Sequence, residues 1–384
     1  MPGRVHGKWD PALAPLAEAF AASIESGQER GGLCVMRDGA VLLEMWGGEA
    51  TPGRPWRRGT LACCFSVTKG VLSLLAHVLI DRGLLALNAP VARLWPELAQ
   101  GGKADITLRD VLTHRAGLPA VDGPVARGDL YSWQRMTDHL ACSAPVVPPR
   151  AAPVYHNMTY GHLLGEILCR ASGLRPLPLL LKRVLIDRVL PDHASGSFAL
   201  GLDPGLQTYC ARLTQEDPQD LFAALQATPD SLFARSMAFF GEGEDFNTAR
   251  WRGAVIGSGS GHATARGLAA LYGQLVWPDA VISPARQAAL RKEAAVSDGD
   301  DPILGIPIRY GQGVELSTPP GLDFGPDPAV AGHWGAGGAQ AFADPATRVS
   351  FGYVTGHMSR GLGSSARAQA LVQALDLCNL QKTG

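Results

Sequence analysis

Strand-like patterns lie near both ends of the chain and helix-like patterns fill its middle, which restricts how the chain can fold. Near the start, two apolar runs within Gly32–Met45 flank Asp38-Gly39, a dipeptide typical of β-hairpin turns. Near the end, Gln340–Phe342 and Val349–Thr355 have the character of strands, whereas residues 105–275 carry helical periodicity between loops. The pattern predicts an α/β fold of the α+β type, with one antiparallel sheet built from both chain ends and flanked by helices.

The same pattern predicts two lobes. Residues 1–90 and 280–384 are expected to form the sheet lobe, and residues 91–279 a mostly helical lobe. A length of 384 residues is sufficient for two cores of ordinary size. Because clefts between lobes are common places for ligand sites, we expect the active site to lie between them.

Composition and charge argue against several classes of protein. The 34 Lys and Arg residues balance 35 Asp and Glu, a formal charge of −1, which argues against a nucleic-acid partner. Seven cysteines form no Cys-x-x-Cys pair, and ten histidines form no zinc-binding motif, so neither disulfides nor a metal are expected. The N-terminus is polar, and the longest apolar stretch, Val71–Ile80, is too short to cross a bilayer. We therefore expect a cytoplasmic protein with no membrane segment and no cofactor.

The first candidate for chemistry is the pair Ser66 and Lys69, at the start of an apolar helix over Ser66–Arg82. An offset of three residues puts the hydroxyl and the amine on one helix face. A buried lysine with a lowered pKa can activate a serine, and the free N–H groups of a helix start can bind an oxyanion. With 20 Ser and six Lys in the chain, about 0.3 such matches arise by chance. The structural alternative is a helix-capping Ser66 with an exposed Lys69.

Two further segments carry candidate residues. Tyr155 could act as a phenolate or relay a proton, and Asn157 could orient a substrate carbonyl or the lysine. The alternative is that the tyrosine packs and the asparagine caps the next helix. The segment His333-Trp334-Gly335 comes just before a strand, where glycine allows close approach to a ligand and His333 could donate a hydrogen bond. The alternative for that segment is a surface turn.

The order and spacing of these three segments resemble the superfamily of serine β-lactamases and penicillin-binding proteins. The nearest branch is that of class C β-lactamase-like esterases, the family VIII carboxylesterases. Two further stretches, Leu84–Pro96 and Leu112–Pro119, resemble phrases of the same family. The resemblance spans about residues 30 to 378 and implies a β-lactamase-like two-lobe fold.

The resemblance also implies roles for individual residues. Ser66 would be the acylated nucleophile, and Lys69 and Tyr155 together would be its base. The same pair would later activate the water or alcohol that removes the acyl group. Asn157 would help to orient the site.

The rest of the implied site lies late in the chain. The backbone N–H groups of Ser66 and Ala336 would form the oxyanion hole, and His333, Trp334 and Gly335 would occupy the third motif. Members that recognise penicillin usually have Lys-Thr-Gly there. Because histidine is mostly neutral near pH 7, it lacks the fixed ammonium that suits a substrate carboxylate. We therefore expect neutral esters as substrates.

The sequence favours a serine hydrolase that cleaves small or short-chain carboxylic esters through an acyl-Ser66 intermediate. A β-lactamase, a D-aminopeptidase-like amidase, a hydrolase of small amides and an acyltransferase stay open on the same fold. A non-catalytic sensor is a distant alternative. The Gly-x-Ser-x-Gly signature of α/β-hydrolases is absent, and Gly257–Gly261 is interpreted as a flexible turn. The oligomeric state is not predicted. Four aromatic residues are candidates for an acyl pocket or for core packing: Tyr131, Trp133, Phe239 and Phe240.

Overall fold

The computed structural model describes residues 4–191, 197–215, 228, 230–240, 244–319, 321–359, 365–378 and 380–381. Its main feature is a nine-stranded antiparallel sheet with the order β1-β3-β2-β15-β14-β13-β12-β11-β10. These strands are β1 Val5–Trp9, β2 Gly31–Arg37, β3 Ala40–Gly47, β10 Ala295–Val296, β11 Arg309–Tyr310, β12 Glu315–Leu316, β13 Ala331–Trp334, β14 Gln340–Asp344 and β15 Val349–Thr355. The expectation of one antiparallel sheet from both chain ends is confirmed.

The hairpin between β2 and β3 turns at Asp38 and Gly39, as expected. Both residues have positive φ, 49° and 82°, which is the conformation that a two-residue hairpin turn requires. Strand β15 from the far end of the chain then pairs with β2, so that Phe351 lies opposite Val35. This pairing joins the two chain ends in one sheet.

Seven helices of eight residues or more lie among the described residues: α1 Ala14–Glu25, α2 Val67–Asp81, α3 Trp133–Cys142, α4 Thr159–Ser172, α5 Ala265–Gly273, α6 Pro284–Arg291 and α7 Ala366–Asp376. Shorter helices lie between them at Leu108–Leu112, Pro204–Gln207, Leu232–Ser236 and Ala249–Gly253, and three short helices follow one another directly at Leu177–Leu181, Lys182–Ile186 and Asp187–Val189. Helices α1 and α7 pack against each other beside the sheet, and α5 lies on β15. A side chain at Gly352 of β15 would overlap the backbone of Ala265 and Ala269, so this helix lies very close to the sheet. None of the described helices is both long and apolar enough to cross a membrane.

Helix α2 is the central helix of the molecule, because every residue from Val67 to Leu79 is buried. A small sheet of β6 Ala62–Cys63, β9 Gly261–Ala263 and β7 Phe198–Leu200 lies just before it. The remaining short strands are β4 Glu49–Thr51 with β5 Arg54–Pro55, and β8 Thr214–Gln215 with β16 His357–Met358. The N-terminus of α2 is therefore held between the small sheet and the core of the protein.

Candidate active site

Ser66 and Lys69 meet at the N-terminus of α2. Phe65, just before the serine, has a positive φ of 44°, a conformation that is uncommon for bulky residues and marks a sharp turn. The Ser66 side chain makes no capping hydrogen bond, and only 1% of Lys69 is exposed. Instead, Lys69 Nζ lies 2.9 Å from Ser66 Oγ. The structural alternative, a capping serine with an exposed lysine, is therefore wrong.

The surroundings of Lys69 lower its basicity. Its Nζ donates to the carbonyl oxygen of Ser258 at 3.0 Å and lies 4.7 Å from the centroid of the Tyr155 ring. Burial lowers the pKa of the ammonium to about 7, and the carboxylate of Glu315 partly opposes this shift. An amine with such a pKa is partly neutral at physiological pH and can accept a proton.

The carbonyl that binds Lys69 belongs to the run Gly257–Gly261, which is buried. Ser258 Oγ donates to the Met158 carbonyl at 2.8 Å and accepts from the Gly161 N–H at 2.7 Å. A side chain at Gly161 or at Gly257 would overlap atoms of the facing segment. The prediction of a turn is confirmed for residues 257–259, but this turn is buried and closely packed and is not a flexible surface turn. The three glycines of the run allow the close approach that brings the Ser258 carbonyl to Lys69.

Tyr155 lies beside the serine, and only 2% of it is exposed. Its backbone N–H donates to Asp301 Oδ2 at 2.7 Å, and its side chain is hydrogen-bonded to Ser66. Burial, with the nearby Glu315 carboxylate, raises the pKa of the phenol well above its usual value. The hydroxyl therefore keeps its proton at neutral pH and can pass one on, but it is not a phenolate.

Asn157 does not cap helix α4, whose N-cap residue is Met158 and has no side-chain capping bond. The Asn157 side chain is buried and its Nδ2 donates to the sulfur of Met237 at 2.9 Å. Sulfur is a weak acceptor, so this donor is easily transferred to a better one. The capping alternative for Asn157 is wrong.

His114, expected to have a structural role, packs behind the tyrosine. Its Nδ1 accepts from the N–H of His156 at 2.9 Å. Its ring lies 4.7 Å from the ring of Tyr160 and 5.1 Å from that of Tyr155, measured between centroids. It supports Tyr155 from behind through ring packing.

The third segment forms the end of β13, with His333 and Trp334 in the strand and Gly335 directly after it, and it lies against the residues before Ser66. A side chain at Gly335 would overlap the carbonyl oxygen of Cys64, so only glycine allows this contact. The next residue, Ala336, begins a short helical turn. Within the parts of the chain that the structure describes, neither the Ser66 N–H nor the Ala336 N–H donates to a backbone carbonyl. Both donors are thus available to an oxygen atom of a ligand.

His333 is buried, and its tautomer follows from its contacts. Its Nδ1 lies 2.7 Å from the carbonyl oxygen of Trp334, so Nδ1 carries the proton, because a carbonyl can only accept. Its Nε2 is then a lone-pair acceptor, and no hydrogen-bond partner for it lies among the described residues. Burial and the nearby Lys69 lower the pKa of the ring to about 3. The expectation that His333 donates to a ligand is wrong, because its only proton is bound by its own backbone neighbour.

Aromatic rings form a cluster next to the nucleophile. Phe65 lies 5.1 Å from Phe246 and 6.2 Å from Trp251 between ring centroids. Phe240 lies 6.2 Å from Trp251, and Tyr131 lies 6.4 Å from the same indole. These five residues, the aromatic cluster, include Tyr131 and Phe240 from the sequence candidates. Sequence reasoning did not single out Phe246 or Trp251.

The other two aromatic candidates have structural roles. The indole of Trp133 donates to Glu166 at 2.8 Å and packs on His162. Only 1% of Phe239 is exposed, and it belongs to the hydrophobic core. For these two residues the packing alternative is correct.

Comparison with known proteins identifies the family to which the chain belongs. Residues 16–375 match the family model described as Beta-lactamase. The chain belongs to the beta-lactamase family. It is 30% identical over 375 residues to "Esterase/beta-lactamase LipL" of Mycobacterium tuberculosis, in an alignment that covers 91% of this chain and 82% of LipL.

Solved structures of this family have the same fold. A family VIII carboxylesterase superposes with a TM-score of 0.84 at 29% identity, over 98% of this chain and 100% of that one. A penicillin-binding protein homologue from Caulobacter crescentus superposes with a TM-score of 0.85 at 31% identity, over 97% of this chain and 99% of that one. The resemblance inferred from the sequence, and the fold class that it implies, are both confirmed.

Proposed function

We propose that this protein is a serine hydrolase that cleaves carboxylic esters through an acyl-Ser66 intermediate. The observation that carries the proposal is the buried Lys69, whose Nζ lies 2.9 Å from Ser66 Oγ and whose pKa is lowered to about 7. A lysine that is partly neutral and already hydrogen-bonded to a serine hydroxyl is a general base in contact with its nucleophile. Membership of the beta-lactamase family supports the same chemistry.

In the proposed acylation, neutral Lys69 takes the proton from Ser66 Oγ as this oxygen attacks the ester carbonyl carbon. The oxyanion that forms accepts hydrogen bonds from the N–H groups of Ser66 and Ala336. As the carbon–oxygen bond of the ester breaks, the phenol of Tyr155 gives its proton to the departing alcohol and receives one from Lys69. Water then attacks the acyl-enzyme by the reverse route, which releases the acid and regenerates Ser66.

Asn157 is proposed to orient the substrate. Its amide donates to the sulfur atom of Met237, and a substrate carbonyl is a stronger acceptor than a thioether. The side chain therefore gains hydrogen-bond energy when it turns to the substrate.

The third segment favours neutral esters over substrates that carry a carboxylate. His333 holds no positive charge near neutral pH, since its pKa is lowered to about 3. Behind it lies the Glu315 carboxyl group, whose Oε2 is 3.4 Å from His333 Nδ1. A substrate carboxylate would find no cation in this segment, and the aromatic cluster offers an apolar wall beside the nucleophile. We propose an uncharged ester of small or short-chain acyl groups as the substrate.

β-Lactam hydrolysis is the second candidate activity, and one observation favours it. The relative LipL carries both activities in its name, esterase and beta-lactamase. Both reactions use an acyl-serine intermediate, so one site can perform them with different efficiency. Amide hydrolysis and acyl transfer to an alcohol stay open for the same reason.

We also propose where the site lies in the molecule and where the protein lies in the cell. We propose that the cleft lies between a sheet lobe of residues 1–90 and 280–384 and a mostly helical lobe of residues 91–279. A cytoplasmic location and the absence of a nucleic-acid partner also stay predictions from the sequence. Cell fractionation tests the location.

Steady-state hydrolysis of p-nitrophenyl butyrate tests the function, with a chromogenic cephalosporin as a parallel substrate. We expect ester turnover that is lost in Ser66→Ala, together with slow cephalosporin cleavage. Ester turnover that survives this substitution would exclude Ser66 as the nucleophile. Fast cephalosporin turnover would make β-lactam hydrolysis the main activity.

A further inference from the structure

Glu315 on strand β12 is a fully buried carboxyl group that no step above uses. Its two oxygens bind the same residue: Oε2 accepts from the backbone N–H of Trp334 at 3.2 Å, and Oε1 accepts from the indole N–H at 3.1 Å. A buried carboxyl group is costly unless its oxygens are hydrogen-bonded. Such a pair of bonds fixes both the main chain and the side chain of Trp334.

The hydrogen bond from the Trp334 backbone N–H to Glu315 lies just beyond the point where β13 stops pairing with β12. The ladder between β12 and β13 ends at the pair Glu315 and Gly332, while β13 continues to Trp334. Strand β12 thus offers no backbone carbonyl to the Trp334 N–H, and the Glu315 side chain accepts this hydrogen bond instead. Without it, this N–H would be a buried donor that lacks an acceptor.

The residues directly after Trp334 form the segment that faces the nucleophile. Gly335 touches the Cys64 carbonyl, two residues before Ser66, and the proposed oxyanion donor is the N–H of Ala336. A change in the position of Trp334 therefore moves this donor relative to Ser66. Displacement of about 1 Å in such a site can reduce the rate about 100-fold.

We infer that Glu315 is a positioning residue of the proposed hydrolysis, which holds Trp334 so that the Ala336 N–H stays beside Ser66. The inference rests on the proposed function. Glu315 acts through Trp334 and does not itself touch the reacting atoms. Nothing in the sequence pattern marks it, because it is a single acidic residue in a two-residue strand.

Glu315 also acts on the proposed base, which provides a readout that a structural role alone would not change. Burial raises the pKa of Glu315 well above its usual value, but the ionised form of Glu315 favours the ammonium form of Lys69 and so raises the pKa that burial has lowered. The other ionisable groups around this pair are Tyr155, Tyr272, Tyr310, His114, His156, His333 and Asp301. Burial raises the pKa of each of the three tyrosines well above its usual value, so their hydroxyls stay neutral. Burial lowers the pKa of His156 to about 4, that of His333 to about 3 and that of His114 well below its usual value, so the three rings stay neutral at pH 6 to 9. Replacement of Glu315 by glutamine is therefore expected to lower the Lys69 pKa and move the acid limb of the pH profile to lower pH.

The test is Glu315→Gln, with kcat, KM and the pH profile for p-nitrophenyl butyrate. An amide keeps the volume, but its NH2 end must face one of the two Trp334 donors. We expect kcat to fall by about tenfold or more, with KM changed much less and the acid limb moved to lower pH. Because Trp334→Phe removes the opposing indole N–H, the double variant is expected to regain part of the lost kcat.

The control is Glu29→Gln, at a buried carboxylate outside the site. Glu29 accepts from Thr355 and Tyr353 and pairs with Arg367. This variant is expected to lose thermal stability while keeping kcat and the pH profile.

An unchanged kcat and acid limb in Glu315→Gln would overturn the inference, as would an equal loss of kcat in the control. If Glu315→Gln does not fold, Trp334→Phe alone decides: an unchanged kcat in that variant overturns the inference and a reduced one supports it. If the wild type itself shows no ester turnover, the result contradicts the proposed function instead.

Discussion

Replacement of Lys69 by methionine is expected to abolish activity and yet stabilise the protein against unfolding at neutral pH. The amine has its ordinary pKa of 10.5 in the unfolded chain, and burial lowers the pKa to about 7 in the folded protein. Below pH 7 the folded protein holds a buried charge at full cost, and above pH 10.5 both states are neutral and the cost vanishes. Each pH unit between these limits changes the cost by about 1.4 kcal/mol.

The shift from 10.5 to about 7 corresponds to a cost of about 4 kcal/mol at pH 7 and about 2 kcal/mol at pH 9. Methionine removes this cost. It also leaves the Ser258 carbonyl without its donor, because this carbonyl lies 3.0 Å from Lys69 Nζ in the wild type. The lost bond costs about 1 to 3 kcal/mol at either pH. Burial also raises the pKa of Glu315, and loss of the Lys69 charge raises this pKa further. Because a buried carboxyl group with a raised pKa costs stability only where it must ionise, the variant is again favoured more at lower pH. The advantage of Lys69→Met should therefore shrink by about 2 kcal/mol between pH 7 and pH 9.

Urea denaturation followed by tryptophan fluorescence at pH 7 and pH 9 measures this difference. Lys182→Met is the matched control, because the Lys182 side chain is 58% exposed in a surface ion pair with Asp187. Its effect is expected to be small and equal at both pH values. A stability difference between Lys69→Met and wild type that does not change with pH would refute the reasoning, since the amine would then keep its proton in the folded state.

Three further results are expected. The kcat/KM of wild type for p-nitrophenyl butyrate should fall on the acid side with a midpoint near the Lys69 pKa of about 7, and full activity at pH 5 would contradict this. Gly335→Ala should lose about 100-fold in kcat with an unchanged circular dichroism spectrum, whereas Gly59→Ala, where a side chain meets open space, should keep full activity. Gly161→Ala pushes on the backbone of Ser258 and should lower both kcat and the melting temperature, so a loss of only one of the two would argue against coupling of this contact to the site.

Local features of the fold could be predicted from the sequence because the information is local. The turn at Asp38-Gly39 needs two residues that tolerate positive φ, and these two do so at 49° and 82°. The spacing of Ser66 and Lys69 fixes their meeting on one helix face, whatever the rest of the chain does. Neither prediction depends on a distant segment.

The residues that the sequence did not predict act through contacts between distant segments. Ser258 binds Lys69 through its backbone carbonyl, and any residue type has such a carbonyl, so no side-chain pattern reveals it. The small residues around it were visible, but small residues occur both in flexible turns and in close packing. Only the facing Gly161 distinguishes the two cases, and it lies in helix α4, far from this run in the sequence.

The proton of His333 shows the same limit in a single side chain. Histidine at this position was expected to be neutral, and burial lowers its pKa to about 3. Which nitrogen carries the proton depends on the carbonyl of the next residue, Trp334, at 2.7 Å. Residue type thus determines the charge, while the fold determines the direction of the hydrogen bond.

Burial explains why the chemistry and the fold depend on each other at this site. Lys69 and Glu315 are both buried, and burial shifts each pKa toward the uncharged form. Such groups destabilise a fold unless other interactions offset them. Helix α2, buried from Val67 to Leu79, supplies much apolar contact directly after the nucleophile. The segment that places Ser66 is therefore also one that the rest of the protein stabilises, and this lets the site keep a lysine that is partly neutral.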